Sequence, residues 1–148
     1  MTNIKPKVFY SFHFDNDVFR TQMVRNIGAI ERSEPVKKNV WENVRRTPGG
    51  IEHWINESMN NKDYVVVLIG SDTHTRPWVQ YEISKGWNEK KKLIGIYIHN
   101  LRDMRFIASP PYSGKCRQGI NPLTRIALKN GAPLDRYVPC FDPNPADA

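Results

Sequence analysis

The 148-residue sequence predicts a flavodoxin-like α/β fold, a three-layer sandwich in which a central parallel sheet is flanked by helices. Three observations carry that expectation. Tyr64-Val-Val-Val-Leu-Ile-Gly-Ser71 is an unbroken run of β-branched and aliphatic residues, the pattern of a mid-sheet strand buried on both faces. A polar turn and a segment of helical period follow it. Leu93-Ile-Gly-Ile-Tyr-Ile98 is then a second mostly apolar strand, so strand and helix alternate as in a doubly wound layer structure. The length suits a single domain over residues 1–148, large enough to bury a core unaided.

Taken in order, Lys7-Val-Phe-Tyr-Ser-Phe12 reads as a strand that delivers Phe12 and His13 to its carboxyl end. Asp15, Asn16 or Asp17 can cap the helix that follows, whose apolar stripe is Phe19, Met23, Val24 and Ile27. Signals are weak from Gly28 to Thr47. Ala29 to Val36 can hold a short strand, Pro35 argues for an edge or loop, and Trp41 stands as an isolated large apolar residue. Pro48-Gly-Gly50 is a break, and Ile51, Trp54, Ile55 and Met59 mark an amphipathic helix ending near Asn60-Asn61. After the central strand, Thr75 is available as a cap and Pro77 fits a first helical turn, where its missing N–H costs nothing. Val79, Ile83 and Trp87 recur on one face of that helix, and Trp78 and Glu82 lie on another. Residues 101–119 form a long loop rich in Arg, Pro, Ser and Gly, which in a compact domain is usually functional or mobile. Leu123 to Leu128 is expected to form a short helix and Tyr137 to Phe141 an edge strand limited by Pro139. The tail, 142–148, is expected to fray.

Composition narrows the class. The chain is 39% hydrophobic and 25% charged, ordinary for a soluble globular protein, and no apolar run approaches the roughly 20 residues of a membrane span. The start lacks the apolar segment of a secretory signal, so a cytoplasmic protein without membrane attachment is expected. Cys116 and Cys140 have no metal-ligand spacing and read as free thiols of a reducing compartment. The net charge of +7 is compatible with solubility, a polyanion partner or a phosphate-bearing small ligand, and charge alone does not choose. Binding to nucleic acid ranks last, because stacking aromatics are not interleaved with the basic residues. Lys90-Lys-Lys92 suits the end of the Glu82 helix, where cations favour the helix dipole.

Several motifs are absent. No Gly-x-Gly-x-x-Gly follows a strand, which argues against a dehydrogenase, and Ser113-Gly-Lys115 lacks the rest of a phosphate loop. Asp15, Asp17 and Asp72 mimic part of a receiver domain's acidic site, yet no lysine stands where that chemistry needs one. His13, His74 and His99 fall at or past strand ends but lack ligand spacing, so neither a metal nor a bound cofactor is expected. What remains is position. In an open parallel sheet ligands bind beyond the carboxyl ends of the strands, and a carboxylate early in the helix leaving the central strand can overlook that crevice. Glu82 is therefore the first candidate for chemistry, with Trp78 on its side of the helix as a candidate pocket aromatic.

These residues resemble the Toll/interleukin-1 receptor (TIR) domain family, and more closely the TIR-like proteins of the bacterial Thoeris antiphage systems. Val8-Phe-Tyr-Ser-Phe-His13 is similar to the family's first strand and following turn, and Val24-Arg-Asn26 to a triplet in the first helix of the Thoeris proteins. Arg45-Arg-Thr-Pro-Gly49 resembles the proline-glycine loop before the second TIR helix, shortened and without its usual acidic partner. Trp78-Val-Gln-Tyr-Glu-Ile83 keeps the four-residue Trp-to-Glu spacing of enzymatic TIR domains, with Val79 where many have Cys. Ile98-His99 and Gly119-Ile-Asn-Pro-Leu123 are similar to further Thoeris landmarks. The resemblance covers a core of about 7–123 and leaves the last 25 residues unmatched.

The resemblance implies an enzyme that cleaves the nicotinamide N-glycosidic bond of NAD, its substrate, and converts the ADP-ribose into a signalling nucleotide, cyclic or conjugated, that activates a separate effector. By position it gives Glu82 the catalytic role, sets Phe12 and His13 beside the nicotinamide or ribose, and makes Arg45, Ser71 and Trp78 further substrate contacts. It also implies an active homo-oligomer and a phage-derived trigger. A non-enzymatic TIR-like interaction module is the alternative, and it predicts no NAD consumption under any condition.

Overall fold

The computed structural model describes residues 7–25, 46–103 and 115–143. Among them, strand β1 (Val8–Ser11) leads into helix α1 (Phe14–Arg25), helix α2 (Gly50–Met59) into β2 (Tyr64–Ile69), and α3 (Pro77–Asn88) into β3 (Lys92–Tyr97). A two-residue strand, β4 (Cys140–Phe141), completes a sheet ordered β1-β2-β3-β4 in which every pairing is parallel. This is the α/β layer architecture the alternation predicts. The registers Ser11↔Val67 and Ile69↔Tyr97 bring the carboxyl ends of β1, β2 and β3 close together.

Val65 to Ile69 are all buried, as an unalternated apolar run requires, and successive side chains serve opposite faces. On one face Val65, Val67 and Ile69 pack with Phe9, with Ile55 and Met59 of α2, and with Val79 and Ile83 of α3. On the other, Val66, Leu68 and Ile98 pack with Val8, Tyr10, Phe12 and Val24 of α1. The sheet is thus covered on both sides.

The structure departs from the sequence expectation at several helix positions. Phe19 and Met23 of α1 are 51% and 43% exposed, while Asp17, Arg20 and Thr21 are buried. The inward face of α1 is polar because Asp17 and Arg20 form an ion pair at 2.9 Å, and Arg20 Nε donates to the Leu101 carbonyl at 3.0 Å. In α3, Trp87 is 38% exposed against the Tyr137 ring, and Gly86 takes the buried position beside Val65. Thr75 does not cap α3: its hydroxyl closes a 3₁₀ turn over Thr73–Thr75 by donating to the Asp72 carbonyl. His13, and not one of the acidic or amide residues after it, caps α1, accepting from the Asn16 N–H at Nδ1 and the Asp17 N–H at its carbonyl. The helix expected near Leu123 is a 3₁₀ turn, Pro122–Arg125, and only Cys140–Phe141 of the expected last strand pairs. Ile27, the possible strand at 29–36, Trp41 and Arg45 lie outside the described residues.

Candidate active site

The end of β1 and the second turn of α3 meet on the same side of the sheet. In β1 the burial alternates, so Phe9 and Ser11 point toward α2 and α3 while Val8 and Tyr10 serve the other face. Phe9 joins the core. Ser11, fully buried at the strand's carboxyl end, donates from Oγ to Glu82 Oε1 at 3.0 Å. Pro77 opens α3 and Val79 and Ile83 fix its rotation against the sheet, which turns Glu82 inward to 7% exposure. Burial pushes the Glu82 carboxyl up to about 8, against the opposing pull of the Ser11 hydrogen bond. A carboxyl group so placed is neutral at rest, and as an anion it would act strongly on any positive charge brought beside it, because little water screens it.

The other expected site residues are distributed around this pair. His13 is 5% exposed and engaged as the α1 cap. Phe12 packs in the cluster across the sheet from Glu82, with its ring 6.0 Å from that of Phe14. Ser71 lies just past β2 and donates to Asp72 Oδ2 at 3.3 Å. Trp78 is 38% exposed and meets Tyr81 edge to face at 5.4 Å, and the Tyr81 hydroxyl reaches Asn56 of α2 at 2.8 Å. Arg45 is outside the described residues. Glu82 is thus joined directly to Ser11; Phe12, His13 and Ser71 mark the neighbouring strand ends, and Trp78 lies toward α2.

Three residues not among the expected site residues shape this end of the sheet. Ser11 is one; its signal was available, since inward alternation from Phe9 puts it on the Glu82 side. Asp72 is the second. It accepts from Asn16 Nδ2 of α1 at 3.2 Å and from Arg117 Nη2 at 3.3 Å, so it fastens α1 and the 115–119 segment to the turn after β2. Asp17 is the third, fully buried, and its carboxyl is raised by burial against the opposing effect of Arg20. A side chain at Gly70 would meet Asp17 Oδ2 at 2.2 Å, and one at Gly119 would meet the Gly70 carbonyl oxygen at 2.1 Å. Helix α1, the end of β2 and the incoming segment are therefore stacked in contact at two glycines. The Cys116 N–H donates to the His99 carbonyl at 3.0 Å, which draws the same segment to the end of β3. Among the described residues, no three His, Cys, Asp or Glu converge as a metal-ligand group.

The family profile described as "Thoeris protein ThsB, TIR-like domain" matches residues 9–103, which include Ser11 and Glu82. The chain is also 35% identical over 103 residues to ThsB1 of Bacillus cereus (strain MSX-D12), a protein named provisionally as a cyclic ADP-D-ribose synthase. That alignment covers 66% of this chain and 54% of the relative, so the chain spans about half the length of the protein it matches.

Proposed function

The chain belongs to the TIR-like family of the Thoeris protein ThsB, and from that premise we propose that it cleaves the N-glycosidic bond of NAD and turns the ADP-ribose into a cyclic or conjugated signalling nucleotide. The observation that carries this reading is the buried Glu82 carboxyl, held by Ser11 at the carboxyl end of the sheet. Nicotinamide in NAD is already a cationic leaving group. When the bond from ribose C1′ to the ring nitrogen breaks, the electron pair goes to that nitrogen and neutral nicotinamide departs. Positive charge develops on C1′ and the ring oxygen, as in glycoside hydrolysis, and the Glu82 carboxylate stabilises it. A hydroxyl or ring nitrogen of the acceptor then bonds to C1′, losing a proton where it carries one.

Burial gives this step its timing. With its carboxyl pushed up to about 8, Glu82 is mostly protonated near neutral pH, and the arriving pyridinium cation favours the anion just where charge is needed. Phe12 and His13 flank the nicotinamide or ribose in this reading, Ser71 and Trp78 contact the substrate from the rim, and Arg45 meets the diphosphate. No metal or resident cofactor takes part. The active form is a homo-oligomer, a phage-derived signal switches it on, and its product acts on a separate effector.

The test is NAD loss and product formation followed by mass spectrometry, with Glu82→Gln beside the unaltered chain. Glu82→Gln keeps the size of the side chain and removes its charge, and the expected loss of turnover is at least about 10²-fold, the scale for a principal electrostatic group. Equal turnover by the two proteins overturns the assignment of Glu82. No NAD consumption at any protein concentration, with or without lysate of infected cells, favours the interaction-module alternative.

A further inference from the structure

We propose that Ser11 is the positioning residue for Glu82: its hydroxyl fixes one carboxyl oxygen, leaves the other to face the ribose, and holds the group ready to ionise. The catalytic half of this inference rests on the NAD-cleaving reading above, and the positioning half does not. Ser11 Oγ lies 3.0 Å from Glu82 Oε1, and Ser11 has no exposed surface, so solvent does not replace the hydroxyl if it is removed. The two residues are 71 apart in sequence and are brought together by β1 and α3, which are themselves fixed by Phe9, Val79 and Ile83 in one core.

Among the described residues, no charged neighbour supplies the same service. On α2, His53 and Glu57 pair with each other at the surface, 3.8 Å apart. On α3 itself Lys85 is bound to Glu89, and the Tyr81 hydroxyl donates to Asn56. In the turn after β2, Asp72 is engaged by Asn16, Ser71 and Arg117, and half-buried His74 sits in the 3₁₀ turn. Arg125, on the turn packed against α3, is exposed. Burial and one neutral hydroxyl therefore set the balance at Glu82. A hydroxyl donor favours the carboxylate over the carboxylic acid. Its placement at one oxygen also fixes the plane of the group, which a merely buried carboxyl would lack.

The experiment compares Ser11→Ala and Ser11→Cys with the unaltered protein, by ¹³C NMR titration of the Glu82 carboxyl, with its signal assigned by Glu82→Gln, and by the pH dependence of kcat for NAD. Ser11→Ala should move the Glu82 titration upward by about one to two pH units, as loss of a hydrogen bond to a charged group implies. The acid limb of kcat should move with it. At neutral pH kcat should fall about tenfold or more, with KM within about twofold. Ser11→Cys, close in volume and a weaker donor, should fall between the two. If the titration moves but the unaltered protein consumes no NAD, Ser11 still positions Glu82 and the NAD reading fails on its own. If Ser11→Ala, shown to be folded by an unchanged Tm, leaves the Glu82 titration and the acid limb where they were, the proposal is wrong. Should Ser11→Ala not fold, an unshifted titration in Ser11→Cys decides against it in the same way.

Discussion

A carboxyl group with 7% of its surface exposed and, among the described residues, one neutral donor, such as Glu82, ionises at a cost in solvation that the donor only partly offsets. Stability carries a record of that cost. Unfolded, Glu82 titrates near its ordinary value of 4.5; folded, it titrates near 8. Below about pH 4.5 the group is protonated in both states and contributes its full share. Between those values the unfolded chain releases the proton while the folded chain keeps it, so stability falls as pH rises and levels off above about 8. Glu82→Gln removes this dependence. Its Tm should match the unaltered protein near pH 4.5 and exceed it on the order of 10 °C at pH 8, measured by thermal scans across that range. The proposed catalytic residue thus lowers stability at neutral pH, as strained or desolvated sites commonly do. Glu82 could be singled out from the sequence because its helix leaves a central strand. Its degree of burial could not, since that depends on where α3 rotates once Val79 and Ile83 have docked.

At the scale of elements, the central strand and the helix after it were legible because their patterns are unmixed: five consecutive buried residues in β2, and Val79 and Ile83 four apart in α3. Helix α1 was not. Its inward face holds Asp17 and Arg20, which pair with each other, so of the expected stripe Val24 packs inward while Phe19 and Met23 do not, a buried ion pair standing in for apolar contacts. The caps were misread for a related reason, because a histidine and a backbone carbonyl did the work expected of Asp or Thr. The stacking of α1, β2 and the 115–119 segment left no local signal, since only the assembled fold reveals what a glycine is pressed against. It has a clear test. Gly119→Ala puts a methyl 2.1 Å from a main-chain oxygen that has little room to yield, and a loss of stability on the order of 2 kcal/mol or more is expected in urea unfolding. Lys115→Ala, at an exposed position on the same segment, should change stability by less than about 0.5 kcal/mol.

For the whole molecule, the carboxyl end of the sheet that carries the candidate site is crossed by a chain segment whose one side-chain tie to the turn after β2, among the described residues, is an exposed ion pair. The Arg117 and Asp72 side chains are 77% and 40% exposed, so their ion pair is weak and easily exchanged. A site of this kind can be sparsely competent in isolation, and a competent fraction of about 1% lowers apparent turnover about a hundredfold. Total NAD turnover should accordingly rise more than in proportion to protein concentration, followed by NAD loss over a dilution series. Strict proportionality would mean that one chain holds a complete site. The short strand β4 has a separate consequence, which concerns time more than affinity. It joins the sheet through two residues only, and Cys140 there is half-buried, accepts a hydrogen bond from Asn121 Nδ2, and has its thiol pushed up by burial. That thiol can serve as a clock for the opening of the carboxyl-terminal strand. Its rate of modification by a thiol reagent should be slow in native protein and rise in low urea before the global transition, reporting how often the carboxyl-terminal strand lets go of β3 while the rest of the sheet stays intact.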